Sequence, residues 1–80
     1  MYVYIFPPFH FLLAISINSN NSRCLLSTST IINEYDLSNN ELYHCYKGHS
    51  GNVRTTAYHP NTVVFASGSE DGCLRIWNHH

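Results

Sequence analysis

The stretch GHSGNVRTTAYHPNTVVFASGSEDGCLRIWN, residues 48–78, decides how this chain folds. It holds three short runs, NVRTTAYH, VVFASGS and CLRIW, rich in β-branched and aromatic residues and separated by the turn-forming groups PNT and EDG. No run places apolar residues at i, i+3, i+4 and i+7 over three turns, so a helix would have no face to bury. Three strands are predicted.

Upstream the punctuation is the same. LLAISI, CLLSTS, IINEYD and LYHCY are separated by NSNNSR, by a short turn and by LSNNE, and predict four further strands. Strand spacing alone is compatible with a sandwich, a barrel or a propeller. Internal repetition discriminates. RCLLSTSTIINEYD and VVFASGSEDGCLRIWN each carry an apolar pair, a Ser-x-Ser, a turn, an apolar strand, then an aromatic followed by Asp or Asn. Asp36 and Asn78 stand 42 residues apart, inside the ~40 to 45 residue period of repeats that build four-stranded blades.

Composition narrows the function classes. Eighty residues, 44% of them apolar, make one domain or less with a core to form. Charged residues reach 11% and the net charge is −1, which leaves no electrostatic footprint for nucleic acid or an anionic membrane. The three cysteines, Cys24, Cys45 and Cys73, form no CxxC pair and read as small hydrophobes in a reducing, intracellular compartment. His44, Cys45 and His49 lie close in sequence, but on a strand the first two point to opposite faces, so no metal site is expected. Ser67-Gly68-Ser69 matches neither GxGxxG nor GK[ST], so no nucleotide and no other cofactor is expected. The apolar start, MYVYIFPPFHFLLAISI, has no basic residue before it and is interrupted by Pro7-Pro8. It is read as an irregular lead-in over residues 1–11 rather than a targeting or spanning segment.

Residues 48–78 resemble a WD40 repeat. The resemblance rests on Gly48-His49, Val53, Ala57, His59-Pro60, Phe65-Ala66-Ser67-Gly68-Ser69, Asp71-Gly72 and Leu74-Arg75-Ile76-Trp77-Asn78, with Asn at the closing Asp position. Residues 12–46 resemble a degenerate repeat with Tyr35-Asp36 at the Trp-Asp position and no Asp-Gly in its turn. A degenerate blade followed by an SGSEDG turn and an RIW strand is also similar to the WD40 subunit of the THO complex. The resemblance implies an all-β fold: a partial WD40 β-propeller, with a four-stranded antiparallel blade over residues 12–46 and three strands of the next over residues 47–80.

It also implies a buried structural tetrad in which Trp77 donates to Ser67, Ser67 to His49 and His49 to Asp71. Such polar groups need partners once water is excluded. A nucleophilic serine needs an exposed hydroxyl and an oxyanion hole, so this set is expected to be structural and no catalytic residue is assigned. WD40 propellers are similar in presenting one face to proteins or peptides; the positions that line it map to Asn52, Arg54 and Glu70. Neither closing sequence, Tyr35-Asp36-Leu37-Ser38 or Trp77-Asn78-His79-His80, carries the Arg of the WD-x-Arg ending associated with docking on a ubiquitin-ligase adaptor. The expectation is a non-catalytic interaction scaffold with a protein or peptide partner, one that needs further blades to close its ring and is therefore read as a fragment. The alternative is a small independent β-domain, secreted or hydrolytic, whose likeness to WD40 repeats is fortuitous.

Overall fold

The structure is a computed structural model, and it describes residues 13–20, 22–60 and 64–78. The lead-in, parts of the NSNNSR and PNT turns and the terminal His79-His80 pair lie outside the described residues. Seven strands follow one another: β1 (Ala14–Ile17), β2 (Arg23–Ser27), β3 (Ile31–Asp36), β4 (Glu41–Lys47), β5 (Val53–Tyr58), β6 (Val64–Ser69) and β7 (Leu74–Asn78). No helix occurs among the described residues. The strands form two antiparallel sheets in sequence order, β1-β2-β3-β4 and β5-β6-β7. The fold is all-β, as the strand spacing predicts, with the four- and three-stranded sheets of a partial propeller.

Local chemistry explains the connections. Between β3 and β4, Asn40 adopts φ 59°, a left-handed conformation that Asn tolerates better than most residues. The Asp36 carboxylate fixes the start of the same turn by accepting from the Ser38 backbone N–H at 2.9 Å and the Ser38 hydroxyl at 2.6 Å. Between β6 and β7, Gly72 takes φ 83°, where a side chain would strain the backbone.

The two sheets meet face to face. Leu25, Ile32 and Tyr46 of the first pack against Val53 and Phe65 of the second, all buried, with Tyr58 and Trp77 closing the cluster. Tyr46 sits edge-on to both Phe65 and Trp77, at centroid distances of 4.8 and 5.5 Å, a favourable aromatic geometry. Cys24, Leu26, Leu37 and Tyr35 form a second cluster. Burial pushes the Cys24 thiol up to about 11, the Tyr35 backbone contact pulling down and the Glu34 charge adding to the rise. On the far side of the second sheet Leu74 and Ile76 remain exposed.

The register corrects one sequence reading. Phe65 pairs with Trp77 and Ser67 with Arg75, whereas Leu25 pairs with Glu34 and Ser27 with Ile32. If Ser27 is matched to Ser67, the partner of Leu25 stands where Trp77 stands, and that residue is Glu34, not Tyr35. The β2–β3 hairpin is shorter by an odd number of residues, and in a strand an odd shift turns each side chain to the other face. Tyr35 consequently pairs with Cys24 and joins the second cluster.

Phe65 is 1% exposed and Leu74 73% exposed. Phe65→Ala is expected to cost about 3–5 kcal/mol through lost burial and a cavity. Leu74→Ala should stay within about 0.5 kcal/mol of the parent. Urea denaturation of both variants checks this, and equal midpoints would contradict the assigned core.

Candidate functional site

The loop between β4 and β5 and the turn between β6 and β7 lie against each other at one end of the second sheet. Four side chains from these segments and strands meet there. Trp77 on β7 donates its indole N–H to the Ser67 hydroxyl at 2.8 Å. An indole nitrogen only donates, so the hydroxyl oxygen accepts and its own proton is free for His49 Nε2, 2.7 Å away. Nδ1 then carries the ring proton and donates to Asp71 Oδ2 at 3.0 Å. The direction of the whole chain thus follows from its indole end.

Asp71 gathers further donors. The Ser50 backbone N–H reaches Oδ2 at 2.9 Å and that of Cys73 reaches Oδ1 at 2.8 Å. Partial burial pushes the Asp71 carboxyl upward, but the Cys73 and Ser50 N–H groups and then His49 outweigh it and hold the group well below the usual carboxylate range.

Backbone contacts fasten the same two segments. The Glu70 N–H donates to the Asn52 carbonyl at 2.9 Å, and the Ser69 hydroxyl donates to the Gly51 carbonyl at 2.8 Å. A Cβ at Gly51 would lie 2.7 Å from the Asp71 backbone nitrogen, so only glycine permits this approach. Sequence reading missed Gly51, whose sole signal is that it flanks Asn52, and it named Ser69 only as part of the repeat motif, with no contact assigned.

All four positions His49, Ser67, Asp71 and Trp77 are brought into one network. Ser67 is 1% exposed and its oxygen is engaged on both sides, so it offers no accessible nucleophile. Asn52, Arg54 and Glu70 also converge. All three are exposed; the Arg54 guanidinium pairs with the Glu70 carboxylate, and the Glu70 N–H holds the Asn52 carbonyl. An ion pair this exposed contributes little to stability, roughly 0–1 kcal/mol, which leaves its charges available for exchange. Among the described residues no group of three or more His, Cys, Asp or Glu side chains is arranged to hold a metal ion. The Cys45 thiol instead contacts the Asn33 side-chain oxygen at 3.1 Å.

Residues 40–78 match the family model described as "WD domain, G-beta repeat". This segment is a WD40 repeat. It spans the β4–β5 loop, the second sheet and the whole network. Similar curated proteins include the human serine-threonine kinase receptor-associated protein, 43% identical over 44 residues that cover 55% of this chain and 13% of that protein. A POC1 centriolar protein homolog A from Xenopus tropicalis is 54% identical over 33 residues, covering 41% of this chain and 8% of that protein. A ribosome biogenesis protein BOP1 homolog from Brugia malayi is 56% identical over 32 residues, covering 39% and 5%. The chain therefore spans only a small part of the length of the curated relatives it matches. The likeness to WD40 repeats is not fortuitous, which removes the reading of an unrelated β-domain.

Ser67→Ala leaves the Trp77 N–H and His49 Nε2 without their shared partner and is expected to cost about 2–4 kcal/mol, measured by denaturant unfolding; an unchanged midpoint would refute the network's role. Acid adds a second expectation. The folded-state value of Asp71 lies below its ordinary 3.8. Its contribution is therefore complete above the ordinary carboxylate range and is lost as pH falls below it. Asp71→Asn should flatten the fall in stability below about pH 4, followed as melting temperature against pH.

Proposed function

We propose that this chain acts as a non-catalytic protein-interaction scaffold whose β4–β5 loop, start of β5 and β6–β7 turn present Asn52, Arg54 and Glu70, respectively, to a protein or peptide partner. WD40 repeats serve in general as interaction scaffolds, and the family is generally non-enzymatic. The carrying observation for this chain is the juxtaposition of a fastened interior with an exposed polar rim: Ser67, His49 and Asp71 hold the two segments from within, while Arg54 and Glu70 stand outside.

The division of roles is physical. A binding loop that is already ordered loses less conformational freedom on docking, so more of the contact energy appears as affinity. His49, Ser67, Asp71 and Trp77 act in this reading as the structural tetrad, with no part in bond making. A partner carboxylate would compete with Glu70 for the Arg54 fork, and a partner cation would compete with Arg54 for Glu70. No cofactor and no nucleic acid is needed. Further blades, packed on the exposed face bearing Leu74 and Ile76, would complete the ring. Relatives named for ribosome biogenesis and the centriole support an intracellular location.

Selection of a displayed random-peptide library on the immobilised chain tests the reading. Enriched peptides are expected to bind an Asn52→Ala, Arg54→Ala, Glu70→Ala triple variant at least tenfold more weakly, with its melting temperature kept within a few degrees. Equal binding to the triple variant would place recognition elsewhere.

A further inference from the structure

An acid lies completely buried where the two sheets meet. Glu34, on β3, is 0% exposed. Its Oε1 accepts from the Tyr46 hydroxyl on β4 at 2.7 Å and its Oε2 from the Tyr58 hydroxyl on β5 at 2.7 Å. One donor belongs to the same sheet and the other comes from the neighbouring sheet. In the first sheet this carboxylate occupies the register position that the second sheet gives to Trp77.

We propose that Glu34 is a polar latch between the two blades, whose grip on the Tyr58 hydroxyl fixes the docking of the second sheet on the first. Apolar contact between flat sheet faces is tolerant of sliding, because burial is nearly proportional to area and carries no direction. A buried carboxylate is not tolerant. Sliding would strand an acceptor-only charged group away from its donors, at a cost far above that of misplacing a methyl group. The two phenols approach along the two carboxylate oxygens, so the position of β5 is specified relative to β3 and β4 together.

Weaker polar links cross the same interface. Ser27 Oγ donates to the Val53 carbonyl at 3.0 Å, the Val53 N–H donates to the Ser29 carbonyl at 3.0 Å, and Thr56 Oγ1 donates to Ser16 Oγ at 3.2 Å. Each of these involves neutral partners, whereas the latch is charge-assisted and enclosed. Among the described residues the first sheet shows no network of the kind His49 makes, and the latch specifies geometry there. Burial first, then the hydrogen bond to Glu34 and its charge, push both phenols above the usual tyrosine range.

A double-mutant cycle on the full chain tests the latch, with unfolding followed by the fluorescence of Trp77, the sole tryptophan. Glu34→Gln and Tyr58→Phe are each expected to lower the folded-to-unfolded ratio roughly tenfold. The double variant should lie near the single ones rather than at their hundredfold product. Additive losses would overturn the latch. If Glu34→Gln does not fold, alkaline titration of tyrosine absorbance decides, comparing the parent chain with Tyr58→Phe. The substitution is expected to remove amplitude only well above the ordinary phenol range near pH 10. Loss of amplitude near pH 10 itself would show an unlatched phenol and overturn the proposal.

Discussion

A serine hydroxyl has one proton to give and lone pairs to receive, and Ser67 uses both at the centre of the second sheet. It accepts from a strand neighbour, Trp77, and donates to His49, which arrives from the loop before the sheet. Through His49 the ordering reaches Asp71, and through Asp71 the backbone of Ser50 and Cys73. One buried oxygen thereby connects two strands, a loop and a turn. The loop that exposes Asn52, and the start of β5 that exposes Arg54, are held by what lies beneath them.

The geometry separates two readings that share the same residue types. Serine, histidine and aspartate in hydrogen-bonded sequence are the components of a nucleophilic triad. Here the serine oxygen already holds an indole N–H and is enclosed, so the same chemistry serves cohesion. What decides between these roles is the fourth residue. A donor-only indole engages the hydroxyl oxygen, which is itself buried.

The first sheet reaches order by a different route. Its apolar residues Leu25 and Ile32 meet Phe65 and Val53 across the interface, and its polar specification comes from Glu34, gripped by Tyr46 and Tyr58. The two sheets thus use unlike devices, one buried inside the second sheet beneath its exposed rim and the other within the contact between sheets. Apolar faces supply most of the attraction, while the polar groups select one arrangement among those that bury similar area.

Strand number and the all-β class followed from local rules, since β-branched runs and Asn, Gly and Asp turns act over a few residues at a time, whereas the grouping into two sheets came from the internal repeat and the resemblance. The segment 48–78 likewise carried its family in its residue types, and the positions that meet around Ser67 could be named from it. The side of β3 on which Glu34 and Tyr35 fall was different. It depends on the hairpin register, which the whole β2–β3 pairing sets, and an offset of one residue reverses every side chain. In the structure Glu34 shares the buried face of Ile32, and an acid in IINEYD gives no local sign that Tyr46 and Tyr58 will converge on it from twelve and twenty-four residues downstream. The close approach at Gly51 was equally hidden, because the backbone nitrogen it accommodates belongs to Asp71. Residue type and short-range pattern determined the elements; contacts between residues distant in sequence, which exist only once the sheets have docked, decided where the buried charges lie.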